Sequence, residues 1–152
     1  FLNYLLSKVV FMNDYLIELQ PNRKPFLFID KIVECDVDKK CKTLKYLDPK
    51  EWFFKCHWKD DPNMPAMLQL ETMSQTASLC LFAKDIPPKK LYLTGVKSAS
   101  FRKKIVPNMM IEITSTQIKK IRNIFTFKCI IRDFNKKNLI SKSYIDLLWP
   151  YD

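Results

Sequence analysis

Glycine is nearly missing from this chain. Its 152 residues include one, Gly95, where ordinary proteins place glycine at about 7% of positions. Phosphate-cradling loops of the P-loop or dinucleotide type need several glycines and are excluded. Turns must rest instead on Asn, Asp, Lys and Pro. Histidine is as scarce, with His57 alone. The five cysteines, Cys35, Cys41, Cys56, Cys80 and Cys129, show no C-x-x-C spacing. With a single histidine to join them, no zinc site is expected. The odd cysteine count and the lack of a signal segment point to a reducing cytoplasm, with the thiols serving as small hydrophobes. Cys56 precedes His57, but adjacent side chains of an extended segment diverge, which argues against a Cys/His nucleophile. Repeats, low-complexity tracts and linkers are absent too.

What is present is globular. Hydrophobic residues make up 47% of the chain, and its length suits one domain over residues 1–152. Residues 1–19 place Asn3, Ser7, Asp14 and Glu18 at helical spacing among Leu, Val and Phe. They read as one or two amphipathic helices, with residues 1–14 as an extension. The apolar part is too short to span a membrane.

The stretch from His57 to Phe82 organises the rest. It opens on the single histidine, turns through Asp60, Asp61, Pro62 and Asn63, and enters a long apolar segment after Met64-Pro65. Pro65 suits the first turn of a helix, predicted here from Pro65 to about Ala83. Apolar residues on nearly every face predict that this helix is buried. Glu71 breaks the pattern. Between Asp61 and Lys84 it is the only ionisable side chain apart from cysteine. A buried carboxylate without a partner is costly and tends to take up a proton. Glu71 is either a surface glutamate that reaches water or one half of an acid/base pair with the imidazole. Leu68, Leu70 and Met73 around it favour the second.

Around this core the chain reads as strands. Residues 25–35, PFLFIDKIVEC, are apolar and β-branched, with Asp30 expected in a salt bridge at a strand end. A turn over 36–40 leads to a returning strand at 41–47. Asp48-Pro49 signals a short helical turn before His57. Four strands follow, at 90–103, 109–120, 123–133 and 139–149, with a hairpin turn at 135–138. One long helix embraced by antiparallel strands is an α+β architecture.

The order and spacing of these residues resemble a known family. From His57 to Gln75 the chain reads H-W-K-D-D-P-N-M-P-A-M-L-Q-L-E-T-M-S-Q. This is similar to the signature H-F-P-G-x-P-x-M-P-G-x-x-x-x-E-x-M-x-Q of the beta-hydroxyacyl-acyl carrier protein dehydratases, which have the hot-dog fold. Upstream, P-N-R-K-P-F-L-F-I-D-K-I resembles the family's P-H-R-x-P-F-L-x-x-D-x-x. Downstream, Leu93 to Asn108 resembles A-G-x-x-x-x-x-F-R-x-P-V-x-P-G. The likeness covers about residues 15–148. It implies that His57 is a general base, that Glu71 protonates or orients the departing hydroxyl, and that the Ala66 amide polarises the thioester carbonyl. Gln75 would hold Glu71, one turn away on the same helix face. Gly95 and Phe101 join Ala66 and Gln75 as expected substrate-binding positions. The resemblance implies no metal and no cofactor beyond the phosphopantetheine arm that carries the substrate. It also implies a dimer, with His and Glu of one site from different subunits, and often three dimers in a hexamer. The chain departs from the pattern at Asn22, Lys59-Asp60, Ala66 and Lys104, so the loop carrying the histidine must bend differently.

Charge adds a partner. The net charge is +10, which favours nucleic acids, anionic membranes or acidic proteins. There is no helix-turn-helix, zinc finger or paired-aromatic RNA motif. The resemblance implies docking of acyl carrier protein, an acidic helical protein, on Lys97, Arg102, Lys103 and Lys104. The reading is therefore a dehydratase of 3-hydroxyacyl thioesters, in fatty acid or a related specialised acyl pathway. The alternatives are a non-catalytic hot-dog protein that binds an acyl carrier or partner, and an acyl thioesterase.

Overall fold

A computed structural model describes residues 17–84 and 86–150. Six strands form one antiparallel sheet: β1 Lys31–Asp36, β2 Lys40–Tyr46, β3 Tyr92–Phe101, β4 Met110–Ile121, β5 Ile124–Asp133 and β6 Leu139–Leu148. Their order across the sheet is β1-β2-β4-β5-β6-β3. The connection from β2 to β3 carries two helices, α1 Trp52–Cys56 and α2 Ala66–Phe82. A long helix lies on an antiparallel sheet, the α+β hot-dog arrangement expected from the element order.

Period-two alternation aims one face of the sheet at α2. Ile111, Ile113 and Ser115 of β4 are buried between half-exposed neighbours, as are Ser143, Ile145 and Leu147 of β6. Of the 17 residues of α2, 13 are buried, so the helix that is apolar on nearly every face is enclosed. Fully burying one of its Leu or Phe side chains contributes about 1.5–3 kcal/mol. Polar ties fix the seat of the helix: Thr43 and Thr76 share a hydroxyl hydrogen bond of 2.8 Å, and the Ser115 hydroxyl donates to the Met73 carbonyl at 3.2 Å.

The expected strand over 25–35 starts only at Lys31. The reason is Gln75. The Phe28 amide donates to Gln75 Oε1 at 2.9 Å, and Gln75 Nε2 donates to the Phe26 carbonyl at 2.8 Å. A helix side chain thus takes the backbone groups that a neighbouring strand would otherwise take. Phe28 and Ile29 are apolar because they are core residues. Asp30 makes a backbone contact where a salt bridge was expected, accepting from the Tyr46 amide at 2.7 Å. Pro65 is the N-cap of α2, one position before its first turn. Asp48 Oδ1 accepts from the Lys50 amide at 2.8 Å, so it caps the turn that precedes α1.

Among the described residues, five non-glycine positions have positive φ: Asp38, Trp58, Asn108, Arg122 and Lys137. Three are the Asn, Asp and Lys expected to carry the turns, and Asn108 (φ 68°) stands where the resembled pattern has glycine. Asn tolerates the left-handed region better than other L residues. Gly95 is in extended β3, where an added Cβ would sit 3.4 Å from Asp146 Oδ2.

Cys41, Cys80 and Cys129 are buried and all five cysteines are free thiols. Burial pushes the Cys129 thiol up to about 12. Among the described residues no helix is long and apolar enough to cross a membrane, and no group of three or more His, Cys, Asp or Glu could hold a metal. The extension expected over residues 1–14 lies outside the described residues.

Candidate active site

His57 ends α1 in an extended conformation, its amide donating to the Phe53 carbonyl at 2.9 Å. Its ring is half-buried and stacks on Trp58 at 5.0 Å between centroids. Nδ1 lies 2.9 Å from the Asn63 carbonyl. A carbonyl only accepts, so Nδ1 carries the hydrogen and the neutral ring keeps its lone pair on Nε2. Cys56 Sγ faces back along α1, 3.5 Å from the Trp52 carbonyl. No Cys/His pair forms, because Cys56 is helical rather than extended.

The loop that orients the ring closes without glycine. It bends at Trp58, whose φ is 52°. The Asp61 amide donates to the Trp58 carbonyl at 2.9 Å, and Asn63 Nδ2 to the Asp61 carbonyl at 2.7 Å. Lys104 Nζ pairs with Asp61 Oδ2 at 2.5 Å. Two departures from the resembled pattern, the Lys59-Asp60 loop and Lys104, thus meet in one structure: the cation replacing proline holds the altered loop.

Glu71 is half-buried on α2, a middle course between the surface and buried alternatives. Gln75 Nε2 donates to its Oε1 at 2.9 Å. Gln75 is itself 2% exposed and bound to Phe26 and Phe28, so it fixes one carboxyl oxygen rigidly. Among the described residues nothing binds Oε2. Glu71 opens into a cavity of about 80 Å³ lined by Gln20, Asn22, Ser74, Gln75 and Ser78 on its polar side and by Phe82, Leu91, Leu93 and Leu147 on its apolar side.

The amides of Leu68 and Gln69 both donate to the Pro65 carbonyl. Those of Ala66 and Met67 have no partner among the described residues, and both residues are exposed. No acidic side chain or side-chain cap offsets the positive end of the helix dipole here, so the N-terminus of α2 favours a ligand with negative character.

The structure brings Glu71 and Gln75 together but does not bring His57 into the same cavity, whose lining within one chain lacks it. Gly95 and Phe101 lie on β3, also outside that lining, and Phe101 is 41% exposed. The four expected docking cations divide. Lys97 pairs with Asp146 at 3.2 Å and Lys104 with Asp61. Arg102 and Lys103 are exposed and form no ion pair among the described residues. Sequence reasoning missed Ser74 and Ser78, although their spacing of three and seven from Glu71 places them on its helix face. It also missed Gln20 and Leu93, which reach the cavity only through tertiary packing.

Comparison with known proteins bears on the family and the fold. The family model of the FabA-like domain matches residues 20–137. A 3-hydroxyacyl-[acyl-carrier-protein] dehydratase FabZ of Cupriavidus taiwanensis is 33% identical over 116 residues, covering 74% of this chain and 78% of the relative. That of Rhizobium johnstonii is 36% identical over 115 residues, covering 75% and 74%. Among solved structures, the dehydratase heterocomplex ApeI:P from Xenorhabdus doucetiae superposes with a TM-score of 0.74 at 10% identity, covering 90% of this chain and 91% of that one. Zebra fish thioesterase superfamily member 2 gives 0.72 at 8% identity, covering 93% and 98%. At such identities these two structures establish the fold alone. The family match and the dehydratase relatives go further: this chain belongs to the FabA-like family and is a dehydratase-type lyase with the hot-dog fold.

Proposed function

We propose that the protein dehydrates 3-hydroxyacyl thioesters carried on acyl carrier protein to trans-2-enoyl thioesters. One observation carries the reading. His57 and Glu71 are each anchored through one atom, Nδ1 on the Asn63 carbonyl and Oε1 on the Gln75 amide, which leaves Nε2 and Oε2 without a partner among the described residues and available for proton transfer. His57 Nε2 takes the proton from the carbon beside the thioester carbonyl. The electron pair moves onto the carbonyl oxygen, which the Ala66 amide at the start of α2 stabilises. Its return forms the double bond and expels the hydroxyl, to which Glu71 Oε2 gives a proton, releasing water. Proton exchange with solvent then moves one proton from His57 back to Glu71. The residues supply both proton transfers, and the chemistry calls for no metal or further cofactor.

Two copies complete the site in this reading. Edge strand β3 pairs only with β6 and is exposed over nearly its whole length, including Leu93, Val96 and Phe101. Leu93 also lines the Glu71 cavity. A second copy paired along β3 would lie against that cavity and bring its own His57 and Phe101 to it. Exposed Arg102 and Lys103, at the end of the same strand, are the cations proposed to receive the acidic carrier protein.

The test is hydration of a trans-2-enoyl thioester, on carrier protein and on a pantetheine mimic. Wild-type turnover that falls at least 100-fold in His57→Ala and in Glu71→Gln supports the reading. Hydrolysis of the thioester in place of hydration would make the protein a thioesterase. No turnover on any chain length, from folded protein, would leave acyl-carrier binding as its function.

A further inference from the structure

We propose that the Ser74 hydroxyl recognises the 3-hydroxyl of the substrate beside Glu71, an inference that rests on the dehydratase reading. The hydroxyl-bearing residues of α2 are otherwise satisfied. Thr72 donates to the Leu68 carbonyl at 2.8 Å, Thr76 to the Thr72 carbonyl at 3.0 Å, and Ser78 to the Gln75 carbonyl at 2.8 Å while accepting from Gln20. Ser74 is the exception. Its residue is 8% exposed, its Oγ is shielded from solvent, and that Oγ has no hydrogen-bond partner among the described residues. It does not take the carbonyl four residues back, the usual recourse of a helical serine.

A buried hydroxyl without a partner is destabilising and calls for an explanation. Position supplies one. Residues 71, 74, 75 and 78 share one helix face, and all four line the same cavity. Gln75 and Ser78 spend their polar atoms within the protein. Ser74 is left to serve a guest beside Glu71, one turn along the helix from the carboxyl that protonates the departing oxygen. The cavity, about 80 Å³, has room for a hydroxyl or a water, whose share of liquid volume is about 30 Å³. In dehydration Ser74 donates a hydrogen bond to the substrate's 3-hydroxyl oxygen as Glu71 protonates it. In hydration it holds the attacking water. Ser74 changes no protonation state in either direction.

A site built to hydrogen-bond a hydroxyl discriminates against a ligand that lacks it. The experiment measures that discrimination in the His57→Ala background, where bound 3-hydroxyacyl ligand is not consumed. Affinities of 3-hydroxybutyryl- and butyryl-pantetheine are compared with and without Ser74→Ala. The preference for the hydroxylated ligand is expected to fall about tenfold, equal to about 1.4 kcal/mol, with butyryl affinity unchanged and the melting temperature not lowered. An unchanged preference overturns the inference, as does equal weakening of both ligands, which would mark a structural role. Wild-type turnover is measured in parallel. If it is absent while the preference exists and depends on Ser74, the dehydratase reading fails and the recognition stands. If neither ligand is preferred, the recognition fails whatever the turnover.

Discussion

Replacing Gln75 by leucine keeps most of the side-chain volume and removes the amide on which both fold and site depend. In the native protein that amide accepts from the Phe28 amide at 2.9 Å and donates to the Phe26 carbonyl at 2.8 Å and to Glu71 Oε1 at 2.9 Å. Phe28 is fully buried, so its stranded amide hydrogen costs about 1–3 kcal/mol. Phe26 is 44% exposed, so its carbonyl can turn to water and costs about 0.5–1 kcal/mol. The loss is about 1.5–4 kcal/mol, or about 3–16 °C in melting temperature for a chain of this size. Glu71 meanwhile loses the contact that fixes Oε1, and displacement of a catalytic group by about 1 Å can cost on the order of 100-fold in rate. Thermal and urea unfolding would read the first effect, and enoyl-thioester hydration at a temperature where both proteins are folded would read the second. A melting temperature within about 2 °C of wild type, with turnover within about twofold, would refute the claim that Gln75 joins the residue 26–28 segment to the Glu71 carboxyl.

Other outcomes follow from the same structure. Glu71→Gln keeps the shape and the contact to Gln75, so turnover should fall at least 100-fold while the melting temperature stays within about 2 °C; retained activity would remove Glu71 from the acid role. Reversing Arg102 and Lys103 to glutamate should lower kcat/KM about tenfold for carrier-borne substrate at low salt, and leave a pantetheine mimic unaffected, because steering acts on the acidic carrier and fades with ionic strength. An equal effect on both substrates would contradict docking there. Alkali should destabilise the protein through Cys129, whose thiol pKa rises on folding from 9.0 to about 12. Between those values the unfolded chain loses the proton that the folded one keeps. The contribution is therefore complete below pH 9 and is lost as pH rises toward 12. Cys129→Ala should lower stability uniformly but flatten its fall above pH 9; an unchanged slope in pH-dependent melting would refute this.

Much of this was legible in the chain itself. The buried helix followed from apolar residues on every face, and the four later strands from β-branched runs between polar turns. The candidate pair stood out as the one histidine and the one carboxyl between Asp61 and Lys84. These are local signals, written in the spacing of neighbouring residues. Other features join residues distant in sequence, and only the tertiary structure decided them. Residues 26–28 read as strand by composition, yet Gln75, nearly fifty positions away, takes their backbone hydrogen bonds. Lys104 reads in the sequence as a lost proline and a docking cation, and only the fold pairs it with Asp61 of the altered loop. Lys97 reads in the sequence as a docking cation, and only the fold shows that β6 sets Asp146 beside it. Ser74 was one more polar residue on a helix until the fold closed around its hydroxyl without supplying a partner. The sequence by itself determined which side chains are scarce, where periodicity places them, and hence the helix, the strands and the candidates for an acid/base pair. Which hydrogen bonds, ion pairs and cavity those side chains enter depended on packing between remote segments, because a polar group takes whichever partner the folded chain holds within about 3 Å of it.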